Sequence, residues 1–221
     1  MVSRAMFELR NAIAEILKES DAIRNFDVNR KIVITAGSPG SGKSTVSKLI
    51  LGGLGFSNRD IDDMLVYLLK REKMRASMTD YTPEELKKTD ELRDKTFSWI
   101  EKSQDYDLKR GRGFIVNTTG ANFGYTMSLV KKFKEAGYEV KMLFVDCSLE
   151  TALERNRKRP RAIPENVLKQ KHAQVSDNIE KYRAAFGGDF HYYNSDENKP
   201  TATDAGVLKI SKDIQNWRNA R

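Results

Sequence analysis

The amino-acid sequence predicts an α/β fold in three layers, with a parallel five-stranded sheet covered by helices on both faces. Three observations lead to this prediction. Short apolar segments rich in β-branched residues alternate with longer amphipathic segments, as parallel strands alternate with their crossover helices. The chain has 221 residues, which suits one globular domain with extensions. The first apolar segment stops at a glycine-rich turn, and a helical pattern follows at once.

Five segments have the composition of buried strands. The first, KIVIT, is short, apolar and β-branched. The second is the weakest candidate. The predicted strands lie at 31–35, 56–61, 113–117, 139–146 and 190–193. Because helical segments separate them, we expect a parallel sheet.

The segments between the strands have the apolar spacing of helices. Thr82 can cap a helix whose first turn holds Pro83, Glu84 and Glu85, and these acidic side chains would meet the positive end of the helix dipole. Gly137 is placed to end another helix. The predicted helices lie at 4–24, 45–54, 64–73, 82–109, 125–136, 148–157 and 164–186, with one more near the C-terminus.

Charge and cysteine content narrow the functional classes. A net charge of +8 and a pI near 9.4 favour anionic partners such as nucleotides and nucleic acids. No window approaches about 18 uncharged apolar residues, and charges interrupt the first twenty or so residues. We therefore expect no membrane span, no secretory signal and a cytoplasmic location. Cys147 is the only cysteine, and its apolar strand setting favours a buried structural thiol.

One motif carries most of the functional information. The segment GSPGSGKS at 37–44 fits the pattern G-x-x-x-x-G-K-S/T, directly after a strand and before a helix. Its backbone N–H groups and the helix N-terminus are expected to bind the phosphates of a nucleotide. The P-loop nucleoside triphosphate hydrolase fold is therefore predicted. The expected nucleotide-binding residues are Gly37, Ser38, Pro39, Gly40, Ser41, Gly42, Lys43, Ser44 and Thr45.

Two side chains of this motif have specific chemical roles, and the predicted cofactors are ATP and Mg²⁺. Lys43 is expected to reach the β- and γ-phosphates and to act in catalysis. The hydroxyl group of Ser44 is expected to bind Mg²⁺, which shields the phosphate charges and favours in-line transfer. The alternative is a glycine-rich turn that binds nothing.

An acidic cluster, NRDIDD at 58–63, follows the second predicted strand. Together with GSPGSGKST, it resembles the polynucleotide kinase and zeta-toxin group of small phosphotransferases. The resemblance implies that an aspartate at the second strand end is the base for the acceptor hydroxyl. Asp62 is the first choice for the base, with Asp60 and Asp63 as rivals. The NRD string also resembles the kinase motif, whereas spacing from Lys43 favours Asp62 and Asp63, which are also expected to bind the acceptor. Helix capping is the structural alternative.

A basic run follows the fourth strand and its helix. The segment ERNRKRPRAIP at 154–164 is similar to the basic lid between two helices in those kinases, although it is one residue shorter. The resemblance implies that Arg155, Arg159 and Arg161 close over the nucleotide, where Arg155 and Arg159 would stabilise the transferring phosphoryl group. The alternative is a solvated charge run or a nucleic-acid patch.

The third predicted strand departs from the resemblance. Its segment GFIVNTTG at 113–120 is similar to the third strand of both relatives, but these carry a carboxylate near Asn117 or Thr118. An amide or hydroxyl group cannot replace that charge, so the relatives' acceptor is not carried over. Asn117 and Thr119 are expected to hydrogen-bond to substrate, with a plain turn as the alternative. Asn194, beside the last strand, is expected to contact the base of the nucleotide.

The chain is expected to form one domain at 31–221, preceded by an N-terminal helical extension at 1–30. A helical insertion at 70–112 and the basic lid at 155–164 lie within that domain. The insertion stands where an acceptor lid would be, so it is the expected specificity element. Aromatic residues on helices more often pack within the protein than stack on nucleic-acid bases, so Phe97 and Trp99 of the insertion are expected to pack.

Over roughly 32–193 the resemblance implies an ATP- and Mg²⁺-dependent phosphotransferase. The expected acceptor is a hydroxyl group of a nucleic-acid end, modified base, nucleotide or sugar nucleotide. The rival hypothesis is an ATP-binding regulatory or nucleic-acid-binding protein without phosphotransfer activity, in which ATP closes the lid and the insertion contacts a partner.

Overall fold

The computed structural model describes residues 29–75, 81–159, 162–196 and 200–220. Within these residues the chain forms one sheet and eight α-helices. The predicted helix at 4–24, nearly all of the predicted extension at 1–30, and Arg161 of the predicted lid lie outside the described residues.

The sheet confirms the predicted α/β fold. The described strands are β1 (Lys31–Ala36), β2 (Ser57–Asn58), β3 (Phe114–Asn117), β4 (Glu139–Asp146) and β5 (Phe190–Asn194). All neighbours pair in parallel, in the order β2, β3, β1, β4, β5. The central strand β1 therefore lies between β3 and β4, and all of its residues are buried.

The helices follow the predicted alternation with the strands. Among the described residues, none is long and apolar enough to cross a membrane. The helices are α1 (Lys43–Leu51), α2 (Ile61–Arg71), α3 (Pro83–Lys109), α4 (Phe123–Glu135), α5 (Leu149–Arg157), α6 (Glu165–Ser176), α7 (Ile179–Phe186) and α8 (Ala205–Asn219).

The second strand is shorter than the predicted segment 56–61. Only Ser57 and Asn58 pair with β3. The strand ends there because Asp60 caps α2: its side chain accepts a hydrogen bond from the backbone N–H of Asp62 at 2.8 Å. As a result α2 begins at Ile61, before the predicted start at residue 64.

The single helix predicted at 164–186 is two helices, α6 and α7. At the break, the buried side-chain amide of Asn178 donates to the carbonyl groups of Gly120 at 3.1 Å and Ala121 at 2.8 Å. The buried hydroxyl group of Tyr182 on α7 also donates to Gly120, at 3.0 Å. These long-range bonds hold the segment after β3 against α7, and periodicity along the chain gives no sign of them.

The core lies on both faces of the sheet, as the three-layer prediction requires. On one face, Ile32 and Ile34 of β1 belong to an apolar cluster that includes Phe133 of α4 and residues of α6 and α7. On the other face, Val33 belongs to a cluster with Ile50 of α1 and residues of α8. Successive side chains of a strand point to opposite faces, so a fully apolar strand is buried on both sides.

Helices α2 and α3 pack on each other, and we refer to them as the helix pair. Their contact is an apolar cluster that includes Leu65, Leu68 and Leu92. The long helix α3 begins with the predicted cap: the Thr82 hydroxyl group accepts from the Glu85 N–H at 3.2 Å, and the Glu85 carboxylate accepts from the Thr82 N–H at 2.8 Å.

The two aromatic residues singled out on α3 have different surroundings. Trp99 packs against the leucine cluster of the helix pair, in agreement with the predicted packing role. Phe97 is 39% exposed, so its predicted packing role stays a prediction. Thr96, the residue before it, is buried.

The substitution Leu92→Ala tests the packing of the helix pair. Leu92 is 2% exposed, and truncation of such a residue costs about 2–5 kcal/mol through lost burial and the remaining cavity. We expect a decrease of that size in the free energy of unfolding, measured by urea denaturation. The matched control is Leu86→Ala on the same helix, where the side chain is 44% exposed. Equal effects of the two substitutions would contradict the packing described here.

Candidate functional site

The loop between β1 and α1 has a backbone that only glycine allows at key positions. Gly40 and Gly42 have φ angles of +90° and +82°, which L side chains rarely adopt. A Cβ atom at Gly37 would lie 2.3 Å from the carbonyl oxygen of Val145, and one at Gly40 would lie 2.6 Å from that of Ala152. The loop therefore lies directly against β4 and α5.

The N-terminus of α1 opens from this loop. Gly42 is the N-cap residue and offers no side-chain cap, so the N–H groups of the first turn are left for a ligand. Ser44 and Thr45 are exposed in that turn, and the buried hydroxyl group of Ser41 has no hydrogen-bond partner among the described residues. N–H and hydroxyl groups at the positive end of a helix dipole fit phosphate oxygens. The exposed Ser44 hydroxyl group fits a Mg²⁺ ion bound to those phosphates.

The end of β3 supports the loop from one side. The carbonyl group of Thr119 accepts from the N–H of Gly37 at 3.2 Å, and the carbonyl group of Thr118 accepts from the ammonium group of Lys43 at 3.0 Å. The Thr119 hydroxyl group accepts from the N–H of Ala121 at 3.3 Å. Thr119 thus shapes the turn and the loop, and its contact with a substrate stays a prediction.

Arg155 supports the loop from the other side. Its guanidinium group donates to the carbonyl groups of Gly40 at 3.4 Å and Ser41 at 3.3 Å. It also donates to the hydroxyl group of Ser195 at 2.8 Å and to the carbonyl group of Ser195 at 2.7 Å. In this structure Arg155 therefore contacts the carbonyl groups of the loop, and the predicted contact with phosphate stays a prediction.

Ser195, which sequence reasoning missed, joins the end of β5 to the loop. Its side chain is fully buried, and its hydroxyl group donates to the carbonyl group of Ser41 at 2.6 Å. The neighbouring Asn194 is exposed, and its side chain accepts from the N–H of Asp196 at 2.9 Å. In the sequence, the segment Tyr193-Asn194-Ser195 at the end of the last strand could have indicated a residue near the nucleotide. It does not show which of the three residues faces the loop. The base contact of Asn194 stays a prediction.

Asn156 shapes the basic lid after α5. This side chain is 2% exposed; it donates to the carbonyl group of Ile163 at 2.8 Å and accepts from the Ile163 N–H at 3.1 Å. The two bonds hold the beginning and the end of the lid segment together. Arg159, which lies in that segment, is near enough to Lys43 for its positive charge to lower the pKa of the lysine. The predicted contact of Arg159 with the nucleotide stays a prediction.

Lys43 lies at the centre of a group of charges. Burial lowers the pKa of its ammonium group, and the positive charge of Arg159 acts in the same direction. The negative charges of Asp60 and then of Asp62 oppose this decrease in the pKa. The charge state of Lys43 therefore depends on two carboxylates and one guanidinium group in its surroundings.

The three candidate aspartates differ in position. Asp60 is half-buried and caps α2, whereas Asp62 and Asp63 are exposed in its first turn. The capping that was the structural alternative is thus present at Asp60. It does not exclude a chemical role, because the cap uses one oxygen atom of the carboxylate.

Asn117 joins the carboxyl ends of three strands. Its side-chain N–H group donates to the side-chain oxygen of Asn58 at 2.8 Å and to the carbonyl group of Arg59 at 3.4 Å. Its side-chain oxygen accepts from the hydroxyl group of Thr35 at 2.7 Å. Both ends of the Asn117 amide are therefore engaged within the protein, and its predicted contact with substrate stays a prediction.

Cys147 lies directly after β4 and is 3% exposed. Burial, together with the negative charge of Asp196, raises the pKa of its thiol to about 11. A thiol with such a pKa is almost entirely protonated near neutral pH, whereas the thiolate is the reactive form. The structure therefore agrees with the predicted buried structural thiol.

A parallel sheet, a glycine-rich loop after its central strand and a lysine at the start of the next helix define a P-loop nucleotide-binding domain. A family model of the AAA domain matches residues 32–181. The chain belongs to this family of AAA domains. A comparison with curated protein sequences gives no match.

Solved structures share this fold at low sequence identity. The PezAT toxin–antitoxin system of Streptococcus pneumoniae matches with a TM-score of 0.61 at 16% identity, over 99% of this chain and 96% of that chain. A candidate kinase from Chloroflexus aurantiacus has a TM-score of 0.57 at 14% identity, over 85% and 98%. The AvrRxo1-ORF1:-ORF2 complex with ATP has a TM-score of 0.54 at 15% identity, over 75% of this chain and 55% of that chain. These matches confirm the kinase-like P-loop fold.

The substitution Gly40→Ala tests the close contact between the loop and α5. Its Cβ atom would meet backbone atoms of Ala152, in addition to the cost of a left-handed backbone for an L residue. Gly53→Ala is the matched control, since Gly53 has a φ of +78° and no atom lies within 4 Å of the added Cβ. We expect Gly53→Ala to lower the free energy of unfolding by about 1–2 kcal/mol, and Gly40→Ala to lower it by clearly more. Similar decreases in urea denaturation would argue against the described packing.

Proposed function

We propose that this protein is an ATP- and Mg²⁺-dependent kinase that transfers the γ-phosphoryl group to a hydroxyl group of its acceptor. The observation that carries this proposal is the glycine-shaped loop that leads into the N-terminus of α1, which has no side-chain cap and carries Lys43 as its first residue. Phosphoryl transfer requires a cation on the phosphates, a carboxylate for the acceptor hydroxyl and positive charge on the transferring group. The fold agrees with this activity, since similar structures include a candidate kinase and a complex with ATP.

The nucleotide would bind with its phosphates against the loop and the N-terminus of α1. The N–H groups of the first turn and the ammonium group of Lys43 would contact the phosphate oxygens. Ser44 would hold the Mg²⁺ ion, which shields the phosphate charges and favours in-line transfer. Arg155 would act indirectly, because it holds the loop carbonyl groups in place.

The proposed base is Asp60, with Asp62 as its rival. A base must lie within hydrogen-bond reach of the acceptor hydroxyl, which itself must lie in line with the γ-phosphate near Lys43. Both carboxylates raise the pKa of Lys43, and Asp60 has the larger effect. Spacing in the sequence favours Asp62, whereas the larger electrostatic effect on Lys43 favours Asp60.

In the proposed reaction, the carboxylate of Asp60 accepts the proton of the acceptor hydroxyl as its oxygen attacks the γ-phosphorus. The bond to the β-phosphate oxygen breaks and ADP leaves. Arg159 would stabilise the charge on the transferring group, and Arg161 would join it if the lid closes as the family resemblance implies.

The proposed acceptors are a nucleic-acid end, a modified base, a nucleotide and a sugar nucleotide. The net charge of +8 favours an anionic acceptor. The helix pair begins at Asp60, so it is the element best placed to cover the acceptor. The second candidate function is an ATP-binding regulatory or nucleic-acid-binding protein without transfer. The hydrogen bonds of Asn117 within the protein favour this second function, because they occupy an amide group that was expected to bind the acceptor.

Incubation with γ-labelled ATP and Mg²⁺ tests the proposed activity. Separate pools of DNA ends, RNA ends, nucleosides and sugar nucleotides would serve as acceptors. We expect label in one pool, and Lys43→Ala should lower this transfer by at least about 10²-fold, since positioned charge on a transition state is commonly worth that much. Binding of ATP without label in any pool would support the regulatory protein instead.

The substitution Asp60→Asn tests the proposed base. Asparagine caps helices about as well as aspartate, so α2 should keep its first turn while the proton acceptor is lost. We expect kcat to decrease by about 10²–10⁴-fold, the usual contribution of a general base, with little change in the affinity for ATP. Asp213→Asn, which changes an exposed aspartate of α8, is the control and should keep kcat near the wild-type value. If Asp62→Asn abolishes transfer and Asp60→Asn does not, Asp62 is the base.

A further inference from the structure

An ion pair joins the residue before the proposed base to the far end of the helix pair. The guanidinium group of Arg59 contacts the carboxylate of Asp107, near the end of α3. The Asp107 side chain is 1% exposed and that of Arg59 is 22% exposed. A buried carboxylate is costly unless it is paired, so Asp107 depends on Arg59.

The backbone around Arg59 is held at the sheet as well. The side chain of Asn117 on β3 donates to the side chain of Asn58 and to the carbonyl group of Arg59. Asp60 follows at once and caps α2, and its backbone carbonyl group accepts from the N–H of Met64 at 3.3 Å. Contacts on both sides of Asp60 therefore determine where its carboxylate lies.

Asp107 itself is held by the body of the domain. Its carbonyl group accepts from the Tyr138 hydroxyl group at 3.2 Å and from the Arg112 N–H at 3.0 Å. Tyr138 directly precedes β4. The end of α3 is thus connected to the sheet, and through Arg59 it is connected to the segment that carries Asp60.

We infer that Arg59 and Asp107 form a positioning pair, which holds Asp60 in its place beside Lys43. This inference rests on the proposed kinase activity. Among the described residues, no hydrogen bond or ion pair joins the side chains of this pair to Lys43 or to the loop, so the pair acts through the position of Asp60 and through the start of the helix pair. A buried ion pair is a poor source of stability compared with apolar residues of the same volume, whereas it does define one geometry.

The central experiment uses Asp107→Asn, which removes the charge and keeps the shape of the side chain. We expect kcat to decrease by about 10-fold or more, because small misplacement of reacting groups is costly. The dissociation constant for ATP, measured by calorimetry with Mg²⁺, should stay within about twofold, since the loop is not touched. Hydrogen exchange should become faster at the amides of Asp62 and Met64, which bond to Asp60.

Two further variants make the result specific. Asp189→Asn is the matched control, because it breaks another ion pair, to Lys141 at 2.6 Å, at the start of β5; kcat and exchange at Asp62 should not change. Arg59→Lys keeps the positive charge and should retain more activity than Arg59→Met. The comparison of Arg59→Lys with Arg59→Met also serves as the test if Asp107→Asn does not fold.

Three outcomes would overturn the inference. The first is a wild-type kcat in Asp107→Asn. The second is a kcat that falls only in proportion to the folded fraction, or together with ATP affinity, since this indicates a purely structural role. The third is unchanged exchange at the amides of Asp62 and Met64. If the wild-type protein labels no acceptor, the proposed function fails, and the exchange measurement then decides the positioning role alone.

Discussion

The loop at 37–42 keeps its shape because its own carbonyl groups have donors outside it. When the N–H groups of a loop point toward an anion, its carbonyl groups point away from the anion and into the protein. Buried carbonyl groups need hydrogen-bond donors there. The Ser41 carbonyl group accepts from Ser195 and Arg155, while Thr119 accepts from the N–H of Gly37. The phosphate site is therefore built by the whole carboxyl edge of the sheet, and the motif is only its most visible part.

The same edge determines the electrostatics of Lys43. Burial alone would favour the neutral amine, and the carboxylates of Asp60 and Asp62 act against this. Bound phosphates would add negative charge and would also oppose the decrease in the pKa of the lysine. Because water is partly excluded, each of these interactions is stronger than it would be in solution. The bound nucleotide would therefore stabilise the charged ammonium form of Lys43, which is the form that binds phosphates.

Much of the fold could be predicted from the sequence, because it depends on local patterns. The apolar strands, the loop motif and the Thr82 cap each occur within a few residues. The break between α6 and α7 could not be predicted, since Asn178 bonds to Gly120 and Ala121 far along the chain. The site residues also fall into those that a local motif predicts and those that depend on long-range contacts. Glycines and Lys43 follow from the motif, whereas the role of Ser195 depends on a contact across the sheet.

Asn117 shows why a family pattern cannot be copied one residue at a time. Its amide donates to Asn58 and accepts from Thr35, so the position needs a donor and an acceptor at once. A carboxylate can only accept when it is ionised, and at this position it would face the side-chain oxygen of Asn58. The amide therefore fits the neighbouring strand ends of this chain. In the proposed kinase, Asp60 and Asp62 would supply negative charge for the acceptor, from the segment that Asn117 itself holds in place.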